Sequence, residues 1–267
     1  MKKTTIRLGL LSALVFGGIN SSQAQLITSG LDDGSPGTLR SQVATALSGD
    51  TLNVDGAISN IILTSGQITI DKELTIMGPT GGVLVDANAT GRIFDVVSDT
   101  LRLSGITLVN GSADNGGGIQ VKNAGLYLDD VTLRNNIAAA VSGSGGAIMA
   151  DTGAMLMIKN STLSYNQANR AGGAIEAVAG SMITLENVNL TNNNAGLPPA
   201  VAAPGNGGGI HITGNGNATI TGGYFADNGA ASEGGAVWNG TGIMTIDGTI
   251  ITNNTASGAL ANNGGGG

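Results

Sequence analysis

The chain contains short runs in which apolar and polar residues alternate, separated by stretches rich in Gly and Asn. Alternation with a period of two is typical of β-strands that bury one face. Each run is followed by a second short apolar segment, such as 131–133 or 188–190. The pattern therefore predicts pairs of short strands. The five clearest first strands are predicted at 125–128, 155–158, 182–185, 218–221 and 243–246.

Two motifs recur along the second half of the chain with one shared period. A Gly-Gly turn leads into an aliphatic residue at Ile119, Ile148, Ile175, Ile210 and Val237, in steps of 29, 27, 35 and 27 residues. An apolar residue followed three positions later by Asn ends at Asn136, Asn166, Asn193, Asn228 and Asn254, in steps of 30, 27, 35 and 26. Two markers with the same period predict a solenoid of stacked coils.

Composition selects a β-solenoid over a helical one. Only 11% of the residues are charged and 46 are Gly, whereas helical repeats need Ala, Leu, Glu, Lys and Arg at helical spacing. Gly and Asn suit sharp corners because both tolerate left-handed backbone conformations. The predicted fold is all-β, a single-stranded parallel β-helix. Asparagines stacked at one corner would hydrogen-bond from coil to coil.

A different segment precedes the coils. Within 38–47, Leu39, Val43, Ala46 and Leu47 follow helical spacing, so we predict a short helix that ends at Gly49 and covers the end of the solenoid. The first strand is predicted at 50–54. Residues 25–50 then form an N-terminal cap and residues 51–114 irregular first coils. The regular repeats occupy residues 115–267. Strands in the irregular part are predicted at 61–63, 68–70, 74–76, 83–85, 94–96 and 101–108.

The N-terminus predicts export. Lys2, Lys3 and Arg7 precede an apolar run over 8–19, and the small residues around Ala24 suit cleavage before Gln25. Residues 1–24 are therefore interpreted as a signal peptide, and no later segment is apolar enough for a membrane-spanning helix. Its removal leaves eight basic against 18 acidic residues, a net charge of about −10, which disfavours nucleic acid as a partner. The chain has no Cys.

The combination of Gly-Gly-Ala-aliphatic with Phe225-Ala226-Asp227-Asn228 resembles the repeat of the polymorphic outer membrane proteins and of related β-helical adhesin-like surface proteins. The likeness covers residue 115 to the end. It implies a right-handed coil and an adhesin-like passenger of a Gram-negative envelope, which binds a host surface, a neighbouring cell or glycans. Residues 38–43 also resemble an N-terminal motif of secreted β-helix proteins.

The last residues, 262–267, correspond to the beginning of a further Gly-Gly turn. We therefore expect the protein to continue, and an outer-membrane anchor C-terminal to this sequence is one expectation.

The alternative is a polysaccharide-active lyase or glycoside hydrolase, a class that also uses β-helices and needs paired carboxylates with a basic residue. His211 is the only histidine and is interpreted as an outward-facing strand residue. The charged residues are interpreted as solvated side chains on the outer faces. The alternative is that basic and acidic residues of different coils form a lyase-like cluster. Its candidates are Lys122, Arg134, Lys159 and Arg170 with Asp129, Asp130, Glu176 and Glu186. No catalytic, cofactor or metal residue is assigned.

Four weaker features complete the sequence analysis. The turn Asp32-Asp33-Gly34-Ser35 is interpreted as solvated, with calcium binding as its alternative. Segment 195–206, with Pro198, Pro199 and Pro204, lengthens one repeat and is predicted to be a surface loop, either a simple insertion or a partner contact. Ice binding is disfavoured because the strand threonines do not share one repeat position. Tyr224, Phe225 and Trp238 are expected to pack in or decorate successive coils and not to form a sugar platform.

Overall fold

The structure is a computed structural model that describes residues 24–258. Most of the predicted signal peptide (1–24) and the final residues 262–267 lie outside this range. The first elements are β1 (Ala24–Ile27), α1 (Leu39–Thr45), β2 (Asp50–Val54), β3 (Asn60–Ile62), β4 (Ile68–Ile70), β5 (Leu74–Met77), β6 (Val83–Asp86), β7 (Phe94–Val96), β8 (Thr100–Val109), β9 (Ser112–Ala113), β10 (Ile119–Val121), β11 (Gly125–Arg134) and β12 (Ile137–Ala138).

Four strands per coil follow. They are β13 (Ile148–Ala150), β14 (Met155–Lys159), β15 (Thr162–Ser164), β16 (Gln167–Ala168), β17 (Ile175–Ala177), β18 (Met182–Glu186), β19 (Asn189–Thr191), β20 (Asn194–Ala195), β21 (Ile210–Ile212), β22 (Asn217–Thr221), β23 (Tyr224–Ala226), β24 (Gly229–Ala230), β25 (Val237–Asn239), β26 (Met244–Asp247), β27 (Ile250–Thr252) and β28 (Thr255–Ala256). The predicted strand pairs are confirmed, with ends shifted by one or two residues. In the coil of β11 the predicted pair is one continuous strand of ten residues, and the single strand predicted at 101–108 is likewise ten residues long, as β8.

The strands form three parallel sheets along the axis of a solenoid, of which the first begins at β1, the second at β4 and the third at β9. The first sheet follows the path β1-β2-β5-β8-β11-β14-β18-β22-β26, with β3, β6, β15, β19, β23 and β27 beside it. The second sheet has the order β25-β21-β17-β13-β10-β7-β4, and the third β28-β24-β20-β16-β12-β9. All three are parallel because each coil returns to the same place one step further along the axis.

Repeat-equivalent residues lie in register. The aliphatic residues of the Gly-Gly motif pair directly from β10 to β25. The core is built from such rows. One of them, in the first sheet, consists of Leu52, Ile76, Leu103, Leu128, Ile158, Leu185 and Ile220, all nearly inaccessible to solvent. The rows of successive coils join into one continuous core. Burying each Leu or Ile in it stabilises the fold by about 1.5–3 kcal/mol.

The predicted asparagine stack is confirmed as a buried ladder. Asn136, Asn166, Asn193, Asn228 and Asn254 each follow the corner after the second strand. The side-chain nitrogen of Asn166 donates to Oδ1 of Asn193 at 3.0 Å, and that of Asn193 donates to Oδ1 of Asn228 at 2.9 Å. The same nitrogen of Asn193 also donates to the Leu163 carbonyl at 2.9 Å. The backbone N–H of Asn166 donates to Oδ1 of Asn193.

The left-handed residue of this corner precedes the ladder asparagine. Asn135, Asn192 and Asn253 have φ values of 55–57°, a conformation that Asn adopts more easily than most residues. The opposite wall of the coil is the Gly-Gly turn. A Cβ on Gly173 would collide with the Gly208 carbonyl and lie 2.6 Å from the Asn194 nitrogen. The two motifs keep one period because they touch across the coil.

The N-terminal helix covers the first coils, as predicted. Leu39, Val43 and Ala46 belong to the core, and the hydroxyl of Thr38 caps the helix by accepting from the Ser41 N–H. Leu47 is 46% exposed; its predicted place on the apolar face is wrong because the helix ends at Thr45, before Gly49.

The strand at 50–54 was predicted to be the first strand, but it is the second. β1 precedes it in the chain and pairs with it in parallel. Among residues 24–258, no helix has the length and apolar character needed to cross a bilayer.

Candidate functional site

A row of side chains follows the outer face of the second sheet. Parallel register places Asp95, Gln120, Met149, Glu176, His211 and Trp238 opposite one another on successive strands. Their neighbours along the strands, such as Ile175 and Ala177, belong to the core, so these six residues point away from it. They are termed the outer row.

Glycine turns cover the outer row. A Cβ added to Gly207 would lie 2.7 Å from the Cβ of His211, and one added to Gly234 would lie 2.9 Å from that of Trp238. Each turn therefore lies directly against the side chain four residues further on. As a result Glu176 and His211 are buried although they are outside the apolar core.

Glu176 is the centre of the outer row and is fully buried. Its Oε1 accepts from Nη2 of Arg170 at 2.7 Å and from the Thr213 hydroxyl at 2.6 Å. Its Oε2 lies 2.8 Å from Nδ1 of His211. Nε of Arg170 in turn donates to the Ser144 hydroxyl at 2.8 Å. A buried carboxylate is costly unless it is paired and hydrogen-bonded, and here both oxygens are occupied. The contacts join three successive coils.

His211 stacks on Trp238, with ring centroids 4.3 Å apart and ring planes inclined by 13°. The indole N–H of Trp238 donates to Oε2 of Glu233 at 2.8 Å. The predicted outward orientation of His211 is confirmed. Its side chain is nevertheless only slightly exposed, because the neighbouring indole and the Gly207 turn cover it.

Asp95 forms a second ionic centre in the outer row, towards the N-terminus. Its carboxylate lies 2.9 Å from Nζ of Lys122 and 3.8 Å from Nη1 of Arg92, and it accepts from the Gln67 amide at 3.2 Å. Burial lowers the pKa of Arg92 from its ordinary value. Lys122 thus pairs with a carboxylate that was not among the candidates from sequence.

The remaining candidates are divided among faces and coils. Lys159 pairs with Glu186 at 2.8 Å, and this hydrogen bond raises the pKa of Lys159. Asp129 accepts from Asn160 at 2.9 Å. Arg134 and Asp130 are exposed, as expected for solvated charges. For Glu176 that expectation is wrong. Of the proposed cluster, the structure joins Arg170 with Glu176 and Lys159 with Glu186.

In the turn at 32–35, Asp33 and Gly34 are exposed as expected, but the solvated interpretation is wrong for Asp32. Asp32 is 4% exposed and forms an ion pair with Arg40 at 2.7 Å. It also accepts from the N–H groups of Thr64 and Ser65. Within residues 24–258, no three His, Cys, Asp or Glu side chains gather as a metal ion would require.

Aromatic residues are distributed as expected. Phe225 is in the core, Tyr224 lies on the outside of the first sheet, and Trp238 belongs to the outer row.

As expected, the strand threonines do not share one repeat position. Thr107, Thr132 and Thr162 lie in one register row, and Thr184, Thr219 and Thr245 in another. Each row then continues into other residue types, Asn189 in the first and Met157 in the second.

A comparison with family models matched residues 117–266 to the right handed beta helix region. The chain belongs to this right-handed β-helix family. The predicted fold class and its handedness are thereby confirmed. No curated protein and no solved structure matched the chain.

The longest repeat of the β-helix contains the predicted surface loop at 195–206, which is confirmed. The loop is tied to the coil that supplies Glu176. The N–H groups of Gly205 and Asn206 both donate to the Arg170 carbonyl at 3.0 Å, and the Val201 N–H donates to the Asn169 side chain at 2.7 Å. Val201 itself is 60% exposed. The insertion therefore braces the arginine that holds Glu176.

The grouping of Glu176, His211 and Trp238 was missed from sequence, although a signal exists. Each follows the aliphatic residue of a Gly-Gly motif, at Ile175, Ile210 and Val237. Equivalent positions of consecutive β-helix coils stack in space, so aligning the repeats on this residue would have brought them together.

Proposed function

We propose that this β-helix is an exported, adhesin-like protein, secreted or displayed at the cell surface, which contacts a host surface, a neighbouring cell or glycans and has no catalytic role. The observation that carries the proposal is the state of Glu176. Its two carboxylate oxygens are occupied by Arg170, Thr213 and His211. The buried polar groups of the outer row therefore serve to join coils.

A catalytic acid or base must reach a proton of the substrate. Glu176 is fully buried and His211 is 4% exposed, so neither offers such access in this arrangement. The stacked coils instead offer extended outer faces on which residues repeat at the spacing of the strands. Contacts of this kind are individually weak and gain strength when many form at once.

The export half of the proposal rests on the N-terminal pattern of Lys2, Lys3 and Arg7 before an apolar run. The adhesin half rests on the resemblance of the repeats to polymorphic outer membrane proteins. An acidic exported scaffold with no cysteine gains its stability from the core and the ladder.

The test uses the purified protein on two kinds of substrate. Beads carrying many copies should bind cells or immobilised glycans far better than the free chain does, because binding is multivalent. The same preparation should leave soluble polysaccharides at their original length. His211→Asn should retain bead binding. Absence of binding to every cell type and glycan tested, together with shortening of a polysaccharide, would refute the proposal.

A second function, a polysaccharide-active enzyme, is favoured by one specific observation. A carboxylate that holds Nδ1 of an imidazole orients the ring as in many general bases, and the Trp238 ring beside it is of a type that stacks on sugars. In that case Glu176→Gln and His211→Asn would both abolish polysaccharide cleavage. Lys159→Ala, on another face, is the matched control and would cleave normally.

A further inference from the structure

Three exposed methionines lie together on the outer face of the first sheet. Met155 and Met157 are two residues apart on β14, so they project from the same face. Met182 on β18 is the register partner of Met155. The side chains of Met155, Met157 and Met182 are 60%, 39% and 56% exposed. They are termed the methionine patch.

The exposure is unusual for this residue type. Methionine is among the residues most often buried, and the core of this protein is built mainly from Leu, Ile, Val and Ala. A second feature is open space beside the patch. Gly125, the other register partner of Met155, has no side chain, and a groove of about 470 Å³ is lined by Gly125, Gly153, Met155 and Met157 among others.

The spacing allows the three sulfur atoms to converge. Register partners on adjacent parallel strands are about 4.8 Å apart, and residues i and i+2 are about 6.6 Å apart along a strand. The methionine side chain has three rotatable bonds and adapts readily, so three thioethers from these backbone positions can reach one point above the sheet.

We propose that the methionine patch binds Cu(I) through the thioether sulfur atoms of Met155, Met157 and Met182. Thioethers are soft, neutral ligands that select Cu(I) over harder ions. The chain contains no Cys, and its single histidine is buried against Glu176 and Trp238. No thiolate therefore competes with the thioethers for a soft ion.

The local charge is compatible with a bound cation. Lys159, on the same strand, is neutralised by Glu186 at 2.8 Å, and Arg102 beside the groove is paired with Glu73 at 3.3 Å. The chain as a whole carries a formal charge of −7, which favours a cation at its surface. This inference does not depend on the proposed adhesin function.

The experiment is an anaerobic Cu(I) titration of the purified protein in competition with bicinchoninate, a coloured Cu(I) chelator. We expect the protein to withdraw one equivalent of Cu(I) per chain. Each of Met155→Leu, Met157→Leu and Met182→Leu should weaken binding by roughly tenfold or more, and the triple variant should abolish it. Leucine nearly conserves volume, and circular dichroism verifies that each variant is folded.

Met77→Leu is the matched control. Met77 is 42% exposed on β5 of the same sheet, three strands away from β14 in the path of the sheet, and its loss should leave Cu(I) affinity unchanged. Zn(II), which prefers nitrogen, thiolate and carboxylate ligands, should not bind at the patch. The proposal is overturned if the wild type withdraws no Cu(I), or if the folded triple variant binds Cu(I) as tightly as the wild type.

Discussion

The asparagine ladder of the regular coils and the Asp32 site of the N-terminal cap satisfy buried polar groups by different chemistry. In the coils, neutral asparagines form a ladder in which Asn193 both donates to Asn228 and accepts from Asn166. In the cap, one buried carboxylate, Asp32, accepts from Arg40 and from two backbone N–H groups. A carboxamide both donates and accepts hydrogen bonds, so identical asparagines can bond to one another through any number of coils. An ionised carboxylate only accepts and needs a separate donor.

The ladder and the Asp32 site should therefore differ in their response to pH. The ladder contains no titrating group. Burial works to raise the pKa of Asp32, but the hydrogen bonds from Arg40, Ser65 and Thr64 outweigh it and hold this pKa below its ordinary value. The stabilisation that Asp32 gives to the cap therefore depends on pH, whereas the stabilisation by the asparagine ladder does not.

The largest effect is expected from Asn193→Ala in the ladder. The substitution removes the acceptor of the Asn166 backbone N–H, one of the two acceptors of its side-chain amide, and the donor to the Leu163 carbonyl; the amide keeps only its bond to the Leu133 carbonyl. We expect the free energy of unfolding to fall by about 4 kcal/mol, since each unsatisfied buried group costs about 1–3 kcal/mol. Denaturant unfolding measures it. Asn192→Ala, at the exposed corner residue beside it, is the control and should cost about 1 kcal/mol; equal losses would contradict a special role for the ladder.

The Gly-Gly turn opposite the ladder should be nearly as sensitive to substitution. Gly173→Ala places a Cβ against the backbone of Asn194 and the Gly208 carbonyl, and we expect a loss of about 3 kcal/mol from overpacking. Gly180, unlike Gly173, has a positive φ, but a Cβ there would meet nothing closer than 3.9 Å. Gly180→Ala should therefore cost only about 1 kcal/mol. If thermal unfolding shows similar losses for both, close packing between the two motifs is not what fixes the glycine.

In the cap, Asp32→Asn should cost about 2 kcal/mol at neutral pH, because Arg40 loses its charged partner. A carboxylate with a lowered folded-state pKa stabilises the protein fully above its unfolded-state pKa. That contribution disappears as the pH falls through the lower, folded-state value, from about pH 4 downward. Unfolding measured from neutral to acidic pH should show the variant and the wild type converging at the acid end. A constant difference at every pH would refute the assignment.

The smallest of these effects is expected from Thr38→Ala at the start of α1. Thr38 accepts from the Ser41 N–H and donates to the Ser35 carbonyl, and loss of a helix cap costs about 1 kcal/mol. Thr38→Ser retains the hydroxyl and should be close to wild type. Hydrogen exchange would locate the effect in residues 35–47; faster exchange spread evenly over the coils would argue against a separate cap.

Much of the architecture could be predicted because it is encoded locally. The alternation around Leu156 and Ile158 and the spacing of the ladder asparagines predicted strands, coils and their stacking. The predictions made for single charged residues were less successful. Asp32 was interpreted as solvated, yet Thr64 and Ser65, more than thirty residues further on, supply its partners.

The sequence by itself determined the solenoid, its period and the buried faces of its strands, because alternation and repetition lie within or between short segments of the chain. Only the tertiary structure decided the surroundings of individual polar side chains. Glu176 is 35 residues from His211 in sequence and 2.8 Å from it in the fold. Whether such a residue faces water depends on the register between coils and on the Gly turn that folds over it, which no short segment contains.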